Sequence, residues 1–183
     1  MRRANAIITS LIMILFLIHM IWGSLELAGM TPGGNRLFSR LSYLMVGLIV
    51  VHMVISMKLT WDTLRSQKAA GVSYRKANRH FWVRRISGMA LMLFIALHVM
   101  VFRGRQTEEG YRLVLFNGGR LAVQLLMVAA LMVHLLTNIR PLKIALGIED
   151  DKGLRVDILL ALAILLLLAA AAFVVYYLRW QMV

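Results

Sequence analysis

The stretch Arg84–Met100, RRISGMALMLFIALHVM, decides how the rest of the chain is understood. Two arginines open an otherwise apolar helix, and His98 lies well inside it. An ionisable side chain at that depth in a bilayer costs about 2.5–3.5 kcal/mol on insertion scales, so it ordinarily has a compensating partner. Three further apolar segments carry a histidine in the same manner: His19, His52 and His134.

The composition sets the class. With 61% hydrophobic residues in 183 and a mean hydropathy of +0.77, the chain is too apolar for a soluble domain. Its length suffices for five spans of about 20 residues. Cysteine is absent, which excludes disulfides, iron–sulfur clusters, thiolate zinc sites and covalently attached haem. Any metal must be held by histidine, carboxylate or methionine. The net charge of +13 does not indicate nucleic acid, because the basic residues gather at the ends of apolar runs, where they orient spans and meet headgroups.

Apolar runs at 6–28, 41–59, 86–103, 119–139 and 157–178 predict an all-α membrane protein, a single five-helix transmembrane bundle. Thr31-Pro32-Gly33-Gly34-Asn35 and Asn117-Gly118-Gly119 mark turns, and Pro141 marks the expected stop of the fourth helix. The charged, then apolar, N-terminus lacks a convincing cleavage site and reads as a retained first span. Counted by alternating side, 14 Lys and Arg fall with the N-terminus and 7 on the opposite side. The positive-inside rule therefore predicts a cytoplasmic N-terminus and a C-terminus outside. The basic segment Lys58–Arg85, flanked by Trp61 and Trp82, is either a lipid-anchored loop or a docking surface for a cytoplasmic partner. The fifth helix carries no ionisable group inside the span, and its alanines suit close packing.

Each of the four span histidines lies in the C-terminal half of its helix, and successive helices run in opposite directions. His19 and His98 should therefore share an outer level, and His52 and His134 an inner one. Two imidazoles facing each other are the ligand set for a six-coordinate haem b, which predicts a bundle enclosing two haem b groups and used for electron transfer. Zinc fits less well, since each level would need two further ligands. Arg84 and Arg120 each precede a histidine by 14 residues, which places them within about 40° of its face and about 21 Å away. Arg84 is thus a propionate candidate for the inner haem and Arg120 for the outer one, with Ser87 and Asn138 on the same faces. Glu26, seven residues after His19 and near the outer boundary, is a candidate for proton exchange with quinone.

With these residues placed, the chain resembles the dihaem cytochrome b membrane-anchor subunit of succinate:quinone oxidoreductases, the succinate dehydrogenase and fumarate reductase family. The resemblance runs over nearly the whole chain, in five helices with histidines on the first four. It includes Arg85-Ile86-Ser87-Gly88 ahead of His98, and His134 followed by Asn138-Ile139-Arg140-Pro141. It implies that His52 and His134 ligate a proximal haem and His19 and His98 a distal one. It implies a prokaryotic cytoplasmic membrane, an iron–sulfur subunit and a flavoprotein on the cytoplasmic side, and quinone, menaquinone in particular, within the membrane. Met132 and Val133 stand where some members of that family carry a carboxylate. Two other functions stay open: a cytochrome b serving another quinone-linked dehydrogenase, and a haem-free transporter with a histidine-lined proton path.

Overall fold

The computed structural model describes residues 1–71, 78–103, 105–107, 110–112, 116–148 and 152–181. Five helices, α1 Arg2–Ala28, α2 Arg36–Ala69, α3 Arg79–Phe102, α4 Gly118–Leu146 and α5 Lys152–Gln181, are long and apolar enough to cross a membrane, which makes this a multi-pass membrane protein. A two-stranded antiparallel hairpin, β1 Arg105–Thr107 with β2 Gly110–Arg112, follows α3.

The helices overrun the apolar stretches because hydropathy marks the bilayer and not the end of a helix. α2 continues ten residues past 59 through a polar segment free of Gly and Pro and ending in the good helix formers Gln67, Lys68 and Ala69, and α3 begins seven residues before 86, so that His80 stands in its first turn. The middle of the basic segment, 72–77, lies outside the described residues. Asparagine caps three N-termini: the side-chain oxygens of Asn35, Asn78 and Asn117 accept from Leu37, Phe81 and Arg120 backbone N–H groups.

The stop expected at Pro141 does not occur. α4 runs through it to Leu146, and the chain turns at Gly147, whose φ of 78° lets the Gly147 and Ile148 N–H groups close on the carbonyls of Ile144 and Lys143. Proline removes one backbone bond, but ending the helix there would forfeit every bond beyond it.

α5 is the wedge that joins the bundle. Its backbone lies against α1 and α4, which also touch each other, whereas among the described residues the α2 backbone lies only against α1 and the α3 backbone only against α4, with α3 reaching α5 through side chains such as Phe102 on Phe173. The buried cores lie along α5: Leu166 and Ala169 against Met20, and Ala172 and Phe173 against Leu27 and Phe116. The alanines allow the close approach that drives helix association in lipid. The chain thus consists of two antiparallel hairpins, α1–α2 and α3–α4, splayed around a space between them. Its ends are here called the near end, which carries Met1, and the far end, which carries the last turn of α5.

At the far end α1 stops on Gly29, at φ 77°, and Arg179 from α5 donates to the Leu27 carbonyl at 3.3 Å. A Cβ on Gly29 would overlap the Arg179 guanidinium. Gly29→Ala is expected to cost about 1–2 kcal/mol from its left-handed backbone alone, and more from the collision. Thermal unfolding in detergent should show a smaller loss when the same change is made together with Arg179→Ala.

Candidate functional site: a histidine-lined cavity between two hairpins

The space between the hairpins is a cavity of about 2220 Å³ lined by His19, His52, His98 and His134. Single small-molecule and cofactor sites are about 300–1,000 Å³, so this one has room for two such groups. All four rings are part-buried, and all four contribute to its wall.

The structure brings the histidines together in two level pairs. His19 and His98 stand with ring centroids 6.0 Å apart and planes at 80°. Two imidazoles on opposite sides of one metal, each with a metal–nitrogen bond of about 2.0–2.1 Å, have centroids about 6.4 Å apart, close to this separation. His52 and His134 form the second level: His134 lies within electrostatic range of His52, and both lie within range of Arg85. Phe102 and Phe173 flank His98 at 4.9 and 6.2 Å. A helix expected to be only a packing element, α5, therefore contributes Phe173 to the site. Among the described residues no three His, Asp or Glu side chains gather around one point as a bare metal ion would require. Two-ligand levels suit a metal that brings its own equatorial ligands.

Each ring has a polar neighbour across its own hairpin seam. His19 Nδ1 lies 2.9 Å from Ser42 Oγ, and His52 Nδ1 lies 3.1 Å from Thr9 Oγ1. In the second hairpin His98 Nδ1 lies 2.7 Å from Gln124 Oε1, and His134 Nδ1 lies 3.1 Å from Ser87 Oγ. As one partner moves up its helix the other moves down, the register of an antiparallel pair. Sequence reasoning missed Thr9, Ser42 and Gln124 as site residues. Their signal was present: Thr9, Ser42 and Gln124 each precede the histidine of their own helix by ten residues, and Ser87 precedes His98 by eleven. Ten residues of helix rise about 15 Å, which is the spacing of the two levels.

The segment Arg85-Ile86-Ser87-Gly88 is arranged around His134 on the facing helix, not around His98. Ser87 bonds its Nδ1, and a Cβ on Gly88 would come within 3.3 Å of its Cε1. Arg85 lines the cavity with its guanidinium 5.0 Å over Phe81, and its buried Nε has no hydrogen-bond partner. Arg84 also lines the cavity, with Nε donating to the His80 carbonyl at 3.1 Å. Arg120 does not line it: it borders a separate pocket of about 350 Å³ beside Leu97 and Val101. At that end of the cavity the arginines are Arg36, Arg40, Arg103 and Arg179. Glu26 lines the far mouth, where its carboxylate accepts from Trp22 Nε1 at 2.9 Å and the Trp22 ring stacks on Phe38 at 4.1 Å.

No family model, curated protein or solved structure matches the chain. Because the chain has no native cysteine, the register can be tested with introduced pairs and a short bifunctional thiol reagent. Cysteines at 9 and 52 are expected to cross-link, whereas cysteines at 19 and 52, about 15 Å apart along the bundle, are not.

Proposed function

We propose that this protein is a membrane cytochrome b that holds two haem b groups, one between His52 and His134 and one between His19 and His98. The observation that carries this is the pairing of four cavity histidines at two depths, with a centroid separation of 6.0 Å at the far level. Bound between two imidazoles, a haem b supplies reversible one-electron chemistry with no open position for a gas or substrate. The chain's own residues do the rest. Leu91, Ile95, Leu131 and Leu166 wall the cavity with apolar surface and exclude water. Arg85, with its orphaned Nε, and Arg84 are the cations available to a porphyrin carboxylate at the near level. Arg36, Arg40, Arg103 and Arg179 serve the far mouth.

The proposed role is that of an electron-transfer anchor of the succinate:quinone oxidoreductase type, inactive alone. The excess of basic residues at the near end supports a cytoplasmic position for that end. An iron–sulfur subunit and its flavoprotein would then dock there, on a face to which the overhanging end of α2 contributes Lys58, Arg65 and Lys68. Quinone, with menaquinone as the candidate, would exchange electrons at a membrane boundary. The Glu26–Trp22 pair at the far mouth places a carboxylate next to an aromatic stack, a suitable setting for a quinone ring and its protons.

A pyridine haemochrome assay on the purified chain is expected to give about two haem b per polypeptide. His98→Ala should lower this to about one, with the near-level spectrum kept. A chain without haem would leave the histidines to a proton path and end the proposal. Gly88→Val, which drives a side chain into the His134 ring, should reduce occupancy at the near level while sparing the far one, read as the haem that His52→Ala also removes.

A further inference from the structure

The four polar neighbours of the histidines share a property that fixes the direction of their hydrogen bonds. Ser42 Oγ lies 2.8 Å from the Phe38 carbonyl, Thr9 Oγ1 lies 2.8 Å from the Asn5 carbonyl, and Ser87 Oγ lies 3.2 Å from the Arg84 carbonyl. A carbonyl oxygen can only accept, so each hydroxyl spends its single proton on its own helix. Turning that proton toward the imidazole would leave two oxygens facing each other lone pair to lone pair. Toward the ring, each hydroxyl is therefore an acceptor. Gln124 Oε1, the fourth neighbour, is an acceptor by nature. The three back-bonded hydroxyls and the Gln124 oxygen thus favour the tautomer in which each Nδ1 carries the proton and each Nε2 keeps a free lone pair.

We propose that Thr9, Ser42, Ser87 and Gln124 are positioning residues that lock the four imidazoles in the Nδ1–H tautomer and tune them as metal ligands, each acting on the level opposite to that of its own helix's histidine. The inference rests on the two-haem function proposed above. An acceptor on Nδ1–H makes the imidazole a stronger donor through Nε2 and favours the more highly charged, oxidised iron. Loss of the acceptor should therefore raise the midpoint potential of the haem at that level. The connection is crossed: α1 carries His19 for the far level but Thr9 for the near one, and α2 carries His52 for the near level but Ser42 for the far one. α3 and α4 repeat the exchange through Ser87 and Gln124.

The crossing makes the inference testable without enzyme turnover. Potentiometric titration of the full chain, followed by optical and EPR spectra, resolves the two haems, and His19→Ala and His52→Ala assign them by loss. Thr9→Val, nearly isosteric, is expected to shift the haem assigned to His52 to a more positive potential while leaving the one assigned to His19 in place. Ser42→Ala should do the reverse. Thr9→Ser and Ser42→Thr, which keep the acceptor, should return the potentials to the wild-type values. If a variant loses a haem instead, loss at the crossed level supports the proposal and loss at the other level overturns it. Two haems with potentials unmoved by Thr9→Val and Ser42→Ala would overturn this inference alone. A wild-type chain without haem would overturn the proposed function and the inference with it.

Discussion

An imidazole set in hydrocarbon must have its polar atoms met by something other than water, and that requirement organises the bundle. Each of the four rings meets a hydroxyl or amide oxygen on the helix next to it. One such bond contributes only about 0.5–1.5 kcal/mol net, but leaving a buried donor unmet costs about 1–3 kcal/mol. A slip of either hairpin by one residue would strand two rings at once. The bonds therefore define the register of α1 on α2 and of α3 on α4 more sharply than apolar packing can, because leucine and isoleucine on a lipid-facing helix tolerate sliding.

With Nδ1 hydrogen-bonded along the seams, each ring keeps its second nitrogen, Nε2, for another partner. The two hairpins meet through α1 and α4 and through α5, while among the described residues the backbones of α2 and α3 stay apart across the cavity and α3 reaches over only by side chains such as Phe102 and His98 on Phe173. Any group clasped by His19 with His98, or by His52 with His134, would bridge one hairpin to the other. Binding and assembly are coupled in such an arrangement, since a ligand that joins two weakly joined halves stabilises the state in which they are together. α5 contributes the permanent part of that junction. Its alanines admit α1 and α4 closely, its Phe173 reaches the His98 ring, and its Arg179 holds the end of α1.

The two mouths of the cavity differ chemically. At the near end Arg84 and Arg85 line the cavity from α3, and Asn138 lines it from α4 with its amide donating to the His134 carbonyl at 2.7 Å. At the far end a carboxylate, a stacked Trp–Phe pair and four arginines line the opening. Both mouths carry arginines, so what separates them is the carboxylate of Glu26 and the Trp22–Phe38 stack at the far one.

Much of this was legible in the chain itself. Five long apolar runs can only be spans, and alternating helix direction with a fixed rise per residue sorts the histidines into His19 with His98 and His52 with His134. Those are properties of one helix at a time, and sequence determines them. Tertiary structure decided what depends on rotation about a helix axis and on the neighbour across a seam. The same offset of about 40° over 14 residues leaves Arg84 on the cavity wall and Arg120 in the separate pocket beside Leu97 and Val101, so the angle alone did not decide which of them faces inward. Ser87, which shares a helix with His98, serves His134 instead, and Arg85 rather than Arg84 holds the unpartnered donor. Pro141 could be passed because the bonds beyond it outweigh the one it removes, a balance visible only when the whole helix is present. Periodicity fixes depth along a helix; packing fixes which way each side chain faces, and the site depends on both.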